Sequence, residues 1–318
     1  MASEDTTQLV WMITGCASGF GRRFVPDILR RGDKVIATSR KVSSIQTLPN
    51  EMSEKGLDAA NNLRIFELDL EWGKAKIDEV VKEALTAFGR IDVVINNGAI
   101  GMKSLIEEAS SQHFTRQFQI NMFGHIDVNN AVLPSMRARK SGTIVVMGSR
   151  SSWRPELPAT AIHLVYGALS QGPYASSKAA FTAYAETLAT ELAFFGIRVL
   201  IVQPASFRTE GMLAYPYHED KRLPEYDLLR SKALAGAGAL HGKQPGDPVK
   251  GVELIVDVVR GEGKAKGKKF PRYLPLGANA AQAIREKTEI MLNVLEEWKD
   301  TTNDLEYEQL EGAKMEYS

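Results

Sequence analysis

Short, almost uniformly apolar runs alternate with stretches of helical period along the first two-thirds of the chain. Residues 9–15 (LVWMITG), 34–39 (KVIATS), 62–70 (NLRIFELDL), 91–98 (IDVVINNG), 142–149 (GTIVVMGS) and 197–204 (IRVLIVQP) each have strand length. Runs of this kind predict strands buried on both faces. Between them, residues 19–31, 76–89, 111–139 and 173–195 repeat apolar positions at helical spacing. Ile77, Val80, Val81, Leu85 and Phe88 form one such stripe. This alternation predicts an α/β protein with a parallel sheet. Right-handed crossovers make that sheet doubly wound, with helices on both faces.

The alternation stops at residue 204. Residues 205–248 are rich in Pro, Gly, Tyr and polar residues. They are too long for a plain connection and predict a substrate-binding loop region. Helices at 247–260 and 278–299 and a short strand near 269–275 complete the pattern, followed by a polar tail from about residue 300. With no internal repeat and no linker, the 318 residues read as a single domain.

Composition narrows the class. Hydrophobic residues make up 44% and charged residues 25%, the balance of a soluble globular protein. Lys and Arg (39) equal Asp and Glu (39), which argues against a nucleic-acid or anionic-membrane partner. The one basic cluster, GKAKGKK at 263–269, reads as a solvated turn. The single cysteine, Cys16, excludes an intrachain disulfide and suits a reducing compartment. No run reaches the roughly 18 apolar residues of a membrane span. The opening MASEDTTQLVWMITG lacks a signal-peptide pattern, so a cytoplasmic location is expected. His163, His218 and His241 lack metal-ligand spacing, and no metal is expected.

The first motif, MITGCASGFGRRF at 12–24, places Gly15, Gly19 and Gly21 between the first strand and the first helix. Gly15 suits a tight turn, Gly19 a close approach to a pyrophosphate, and Gly21 close packing of helix on sheet. Free N–H groups at the helix start then face an anion, with Ser18 and Phe20 in the same loop. The spacing, Gly-x-x-x-Gly-x-Gly after a threonine, resembles the classical short-chain dehydrogenase/reductase family. GSRSSWRPE and FRTE look most like its fungal members. The resemblance implies one Rossmann-type domain and a nicotinamide dinucleotide.

The end of the second strand bears on which dinucleotide. It reads Thr38-Ser39-Arg40-Lys41 and holds no carboxylate, the usual mark of NAD selectivity. Arg40, beside Ser39, is expected to hold a 2′-phosphate, favouring NADP(H) over NAD(H). In the family an aspartate at the position of Asp69 contacts adenine; a helix cap is the competing reading. Asn97 and Gly98 belong to Asn-Asn-Gly-Ala at 96–99, which transposes the family's Asn-Asn-Ala-Gly. If the fourth position needs positive φ, Ala99 is strained there, with Gly101 placed to supply the lost freedom. Pro204 and Thr209 match a family element that touches the nicotinamide amide, although Ala205 replaces its glycine.

The second motif is QGPYASSKAA at 171–180. Tyr174 and Lys178, four apart, share one helix face. A free tyrosine titrates near pH 10. A neighbouring ammonium lowers that, making a general acid/base for alcohol–carbonyl interconversion. The resemblance implies that Lys178 also binds the nicotinamide ribose. It further implies that Ser149 polarises the substrate oxygen and that Asn121, in QINMFGH, holds a water in a proton relay. Ser151 and Ser152 are rivals for the serine role. Tyr166 rivals Tyr174, but residue 170 is a serine, not a lysine. Ser149 and Tyr174 stand farther apart than in the family; the intervening stretch, about 155–171, reads equally as a lid or an outward bulge.

The expected function is NADP(H)-dependent interconversion of a ketone and a secondary alcohol. A non-redox step on the same scaffold (cyclase, epimerase or dehydratase) is the alternative, and a nucleotide sensor a third reading. Phe207, Met212, Leu213, Tyr215 and Tyr217, with Trp153 as a wall, suggest a bulky apolar substrate; each reads equally as a loop anchor. The family commonly pairs through the helices here at 111–139 and 173–195, which implies a homodimer or homotetramer.

Overall fold

The six apolar runs become the first six strands of one sheet in the computed structural model, which describes residues 8–153, 171–213, 217–218, 221–303 and 305. They are β1 (Val10–Ile13), β2 (Lys34–Ser39), β3 (Leu63–Glu67), β4 (Val93–Asn96), β5 (Gly142–Met147) and β6 (Ile197–Pro204). The later strand β7 (Tyr273–Leu276) joins them. The order is β3-β2-β1-β4-β5-β6-β7 and every pairing is parallel. This is the doubly wound α/β sheet that the alternation predicts.

The period-two geometry of a strand divides its apolar side chains between two faces. Met12 goes to one core with α4 (Lys74–Phe88), α6 (Gly124–Arg139) and α7 (Gly172–Ala193). Trp11 and Ile13 go to the other, with α1 (Gly19–Arg30), α2 (Leu48–Glu54) and α9 (Pro248–Arg260). The short α3 (Ala59–Asn62) precedes β3, and α10 (Ala278–Thr302) follows β7. No helix among the described residues is long and apolar enough to cross a membrane.

Two elements depart from the sequence reading. The single helix expected over 111–139 is α5 (Ser111–Phe118) and α6, joined by a wide π-turn at Gln119–Phe123. The turn delivers Asn121 inward, and Gly124 behind it packs on Leu70, whose carbonyl oxygen would lie 2.4 Å from an added Cβ. Within 205–248 a helix, α8 (Asp227–Leu240), forms where a loop region was expected. Its Ala- and Gly-rich second half carries no clear apolar stripe.

A buried charge ties the sheet's entry to its covering helices. Asp33 accepts the indole N–H of Trp11 at 2.8 Å, Arg260 at 2.6 Å and the Leu9 N–H at 2.9 Å. Asp33 is 1% exposed. Removing it deprives the buried indole of its acceptor and leaves Arg260 to the partly exposed Glu262, at 3.1 Å. Asp33→Ala is expected to lower unfolding free energy by about 3–5 kcal/mol in urea titrations; a loss under about 1 kcal/mol would contradict this account.

Candidate active site

The sheet order reverses between β1 and β4, so crossovers leave their carboxyl ends in opposite directions and open a crevice. A cleft of about 1090 Å³ lies there. It runs from Arg40 and Asp69 at one end to Ser149, Tyr174 and Lys178 at the other, with Pro204 and Thr209 along its wall.

The glycine loop forms its floor. Gly15 and Gly19 take φ of 72° and 59°, open to glycine without strain. A Cβ on Gly15 would sit 2.7 Å from the Gly98 Cα, and one on Gly21 2.2 Å from the Gly15 carbonyl oxygen. Gly21 therefore packs α1 against the loop rather than facing the cleft, while Ser18 and Phe20 line it. Thr14, outside the expected site set, binds the parts together. Its Oγ1 accepts from the N–H groups of Asn97 and Gly98, both at 2.9 Å.

The start of α1 already holds an anion. The Glu210 carboxylate accepts the Gly19 N–H at 2.9 Å and pairs with Arg23 at 2.7 Å. Arg23 holds that carboxyl down at about 2. At the far end, the side chains of Arg40 and Lys41 line the cleft and bond to no described residue. Ser39 pairs with Ser44 at 2.7 Å. Asp69 lines the cleft and accepts the Glu71 N–H at 3.0 Å. It caps no helix, because Gly73 occupies the cap of α4.

The transposed Asn-Asn-Gly-Ala is unstrained: neither Ala99 nor Gly101 takes positive φ. Gly98 is the residue with a steric reason, since its Cβ would lie 2.8 Å from Leu70 Cδ1. Its carbonyl receives His125 Nε2 at 2.7 Å. Burial pushes that imidazole down to about 3, so it is neutral and its Nε2–H donates. His125 carried no signal in the sequence beyond its place after Gly124.

Asn121 is fully buried behind the cleft. It accepts the Ile100 N–H at 2.9 Å and donates to the Ile100 carbonyl at 3.0 Å and to Ser177 Oγ at 3.0 Å. Its side chain clamps the segment after β4. Tyr174 and Ser149 line this end of the cleft together, and Ser149 Oγ accepts the Ser151 N–H at 3.0 Å. Burial raises the Tyr174 pKa above 10, and Ser149 opposes it. The expected lowering by Lys178 is not seen in the chain alone. Lys178, 2% exposed, donates to the Met147 carbonyl at 2.6 Å, and burial lowers it to about 8.

Of the rival serines, Ser151 lines the cleft, whereas Ser152 lies in a separate groove. Trp153 lies in that groove too, between α7 and α10, with Ala179, Thr182 and Met291; it is not a wall of the cleft. Phe207 reaches the cleft, but its ring packs edge-on against Phe20 at 5.0 Å. Tyr217 is an anchor. Its hydroxyl donates to Glu108 at 3.1 Å and accepts the Leu105 N–H at 2.9 Å. The side chains of Met212 and Leu213 lie outside the described residues, as do Tyr215, Tyr166, His163 and residues 155–170.

The buried lysine makes stability depend on pH. Its folded pKa, about 8, lies below the ordinary 10.5. Below pH 8 both states hold the proton and the burial penalty is complete. Above it the folded state releases the proton first, so stability rises with pH. Relative to Lys178→Met, the ligand-free wild type is expected to gain about 2 kcal/mol between pH 7 and pH 9.5 in urea unfolding. A pH-independent difference would contradict the buried ammonium.

The short chain dehydrogenase family model matches residues 9–217. An oxidoreductase of Botryotinia fuckeliana, BOA17, is 27% identical over 293 residues, covering 92% of this chain and 97% of that protein. The oxidoreductase claN of Passalora fulva is 33% identical over 207 residues, covering 65% of this chain and 85% of that one. The crystal structure of a short-chain dehydrogenase from Streptomyces avermitilis superposes with a TM-score of 0.76 at 28% identity, covering 95% of this chain and all (100%) of the other. With the match spanning the glycine loop, the Ser149 strand end and the Tyr174 helix, the chain belongs to the short-chain dehydrogenase family of oxidoreductases.

Proposed function

We propose that the protein is an NADP(H)-dependent oxidoreductase that interconverts a ketone and a secondary alcohol. The observation that carries the reading is the meeting of Tyr174, Ser149 and buried Lys178 at one end of a cleft whose other end presents Arg40. The residues fit a phosphorylated dinucleotide. The glycine cradle admits no Cβ at Gly15 or Gly21, and Glu210 shows that the first helix start accepts an anion. Arg40 and Lys41 suit a 2′-phosphate, Asp69 the adenine, and Asn97, Gly98, Pro204 and Thr209 the nicotinamide half.

When bound, the dinucleotide supplies or accepts the hydride at nicotinamide C4. Glu210 must leave the Gly19 N–H for a pyrophosphate to take its place. Ser149 donates a hydrogen bond to the substrate oxygen. Tyr174 Oη gives that oxygen a proton in reduction and takes it back in oxidation. Burial keeps the phenol protonated, which suits its acid role. Lys178 holds its ammonium within the site for the ribose hydroxyls, and Asn121 anchors the proton relay. Ile100, Met102, Leu240 and Ala283 line the same cleft, which supports a substrate with a bulky apolar body. The reading includes a homodimer or homotetramer paired through α5–α6 and α7, supported by exposed Phe123 (43%) and Phe194 (89%) beside them.

Tyr174→Phe is expected to cut ketone-dependent NADPH oxidation by roughly 10²–10⁴ while NADPH still binds; unchanged turnover would contradict the role given to the tyrosine. Arg40→Ala is expected to reduce kcat/KM for NADPH on the order of tenfold or more and to spare NADH. Equal loss with both cofactors would remove Arg40 as the phosphate reader. Light scattering should report a dimer or tetramer at micromolar concentration, and a monomer would contradict the pairing.

A further inference from the structure

At both ends of the cleft stand cations whose side chains bond to no described residue. Arg40 and Lys41 belong to the cofactor in the reading above. The second pair, Lys103 and Arg150, also lines the cleft. Arg150 directly follows Ser149 in a single turn, Arg150–Trp153. Lys103 is two residues beyond Gly101, where an added Cβ would lie 3.9 Å from the Tyr174 ring. The next residue, Ser104, bridges to Gln171 just before α7. Both cations therefore follow, within one or two residues, positions that belong to the Tyr174 end of the cleft.

Both side chains are half-buried, and neither makes a hydrogen bond or ion pair with a described residue. Such a cation gives up hydration without an ion-pair partner among the described residues, an arrangement that costs stability. Burial lowers the pKa of each. Two acids line the cleft among the described residues. Asp69 is at the far end, beside Arg40. Glu286, on α10, acts on Arg150 from a distance but forms no ion pair with it. The third cation of this end, Lys178, donates to the Met147 carbonyl at 2.6 Å.

We propose that the substrate is a carboxylate-bearing ketone, or the matching hydroxy acid, with its carboxylate held by Arg150 and Lys103. The carbonyl meets Ser149 and Tyr174, and an apolar body lies along Ile100, Met102 and Leu240. The planar guanidinium of Arg150 matches a carboxylate in two parallel hydrogen bonds, and Lys103 adds a point charge. The carbonyl half of this inference rests on the oxidoreductase reading; the carboxylate half does not. Glu286 sets a selectivity of its own, because an anion entering beside it is repelled unless Arg150 is engaged.

The test compares 4-acetylbenzoate with its neutral methyl ester. Each is titrated by calorimetry into protein saturated with NADP+, where ketone and oxidised cofactor cannot react and binding is read alone. The acid is expected to bind on the order of tenfold tighter than the ester. Arg150→Met should bring the acid down to the ester's affinity without lowering Tm, since no protein partner is lost. Glu286→Gln should tighten the acid and leave the ester unchanged. Equal affinity for acid and ester, binding of neither, or a preference that survives Arg150→Met combined with Lys103→Met would overturn the inference. NADPH oxidation with the same two ketones separates the claims. A preference for the acid with no turnover of either ketone supports the carboxylate site and overturns the oxidoreductase reading alone.

Discussion

One hydroxyl group holds the site in shape. Where parallel strands end, the departing chain loses its ladder partners, and its backbone N–H groups need others. At the β1–β4 boundary Thr14 supplies them, accepting from two successive N–H groups at 2.9 Å. Asn97 completes the seal, donating to the carbonyls of Thr14 and Gly15 at 2.8 and 3.2 Å. The contact is so close that Gly15 and Gly21 have no room for a side chain. The cleft above this junction, and all that lines it, follows from that constraint.

The site is assembled against stability. Tyr174, Lys178 and His125 are polar groups taken out of water, and each is shifted toward its neutral form. The surrounding fold offsets this with satisfied polar clusters elsewhere. Glu108 and Arg230, 1% and 3% exposed, form a buried ion pair that also engages Tyr217 and the Leu223 N–H. It ties α8 to the segment after β4, so Gly236 and Leu240 of that helix overhang the cleft. Glu210 and Arg23 fasten the start of the same region to α1.

The fold was legible because strand burial on both faces leaves a plain mark, and the first six strands fall within the apolar runs. Tyr174 and Lys178 stood out through their i,i+4 spacing together with Asn121 and Ser149 ahead of them in the family's order, and the glycine loop through its place between strand and helix. What failed to show depends on long-range packing. The π-turn at Gln119–Phe123 exists because Asn121 reaches Ile100, a contact across 21 residues. The helix α8 has its anchor, Glu108, 122 residues from Arg230. Trp153 resembled a pocket wall only until the chain turned it toward α10. Arg150 and Lys103 look like ordinary surface cations in a sequence; only the structure places them in the cleft, bonded to no described residue.

The central claim is that this cleft moves a hydride between a dinucleotide and a carbonyl carbon. The most direct measurement uses NADPH doubly deuterated at nicotinamide C4, incubated with the protein and a panel of bulky ketones, the product alcohols being read by mass spectrometry. The account predicts one deuterium on the carbinol carbon of a product alcohol. NADPH that binds and remains unconsumed, or an alcohol formed without deuterium, would contradict it.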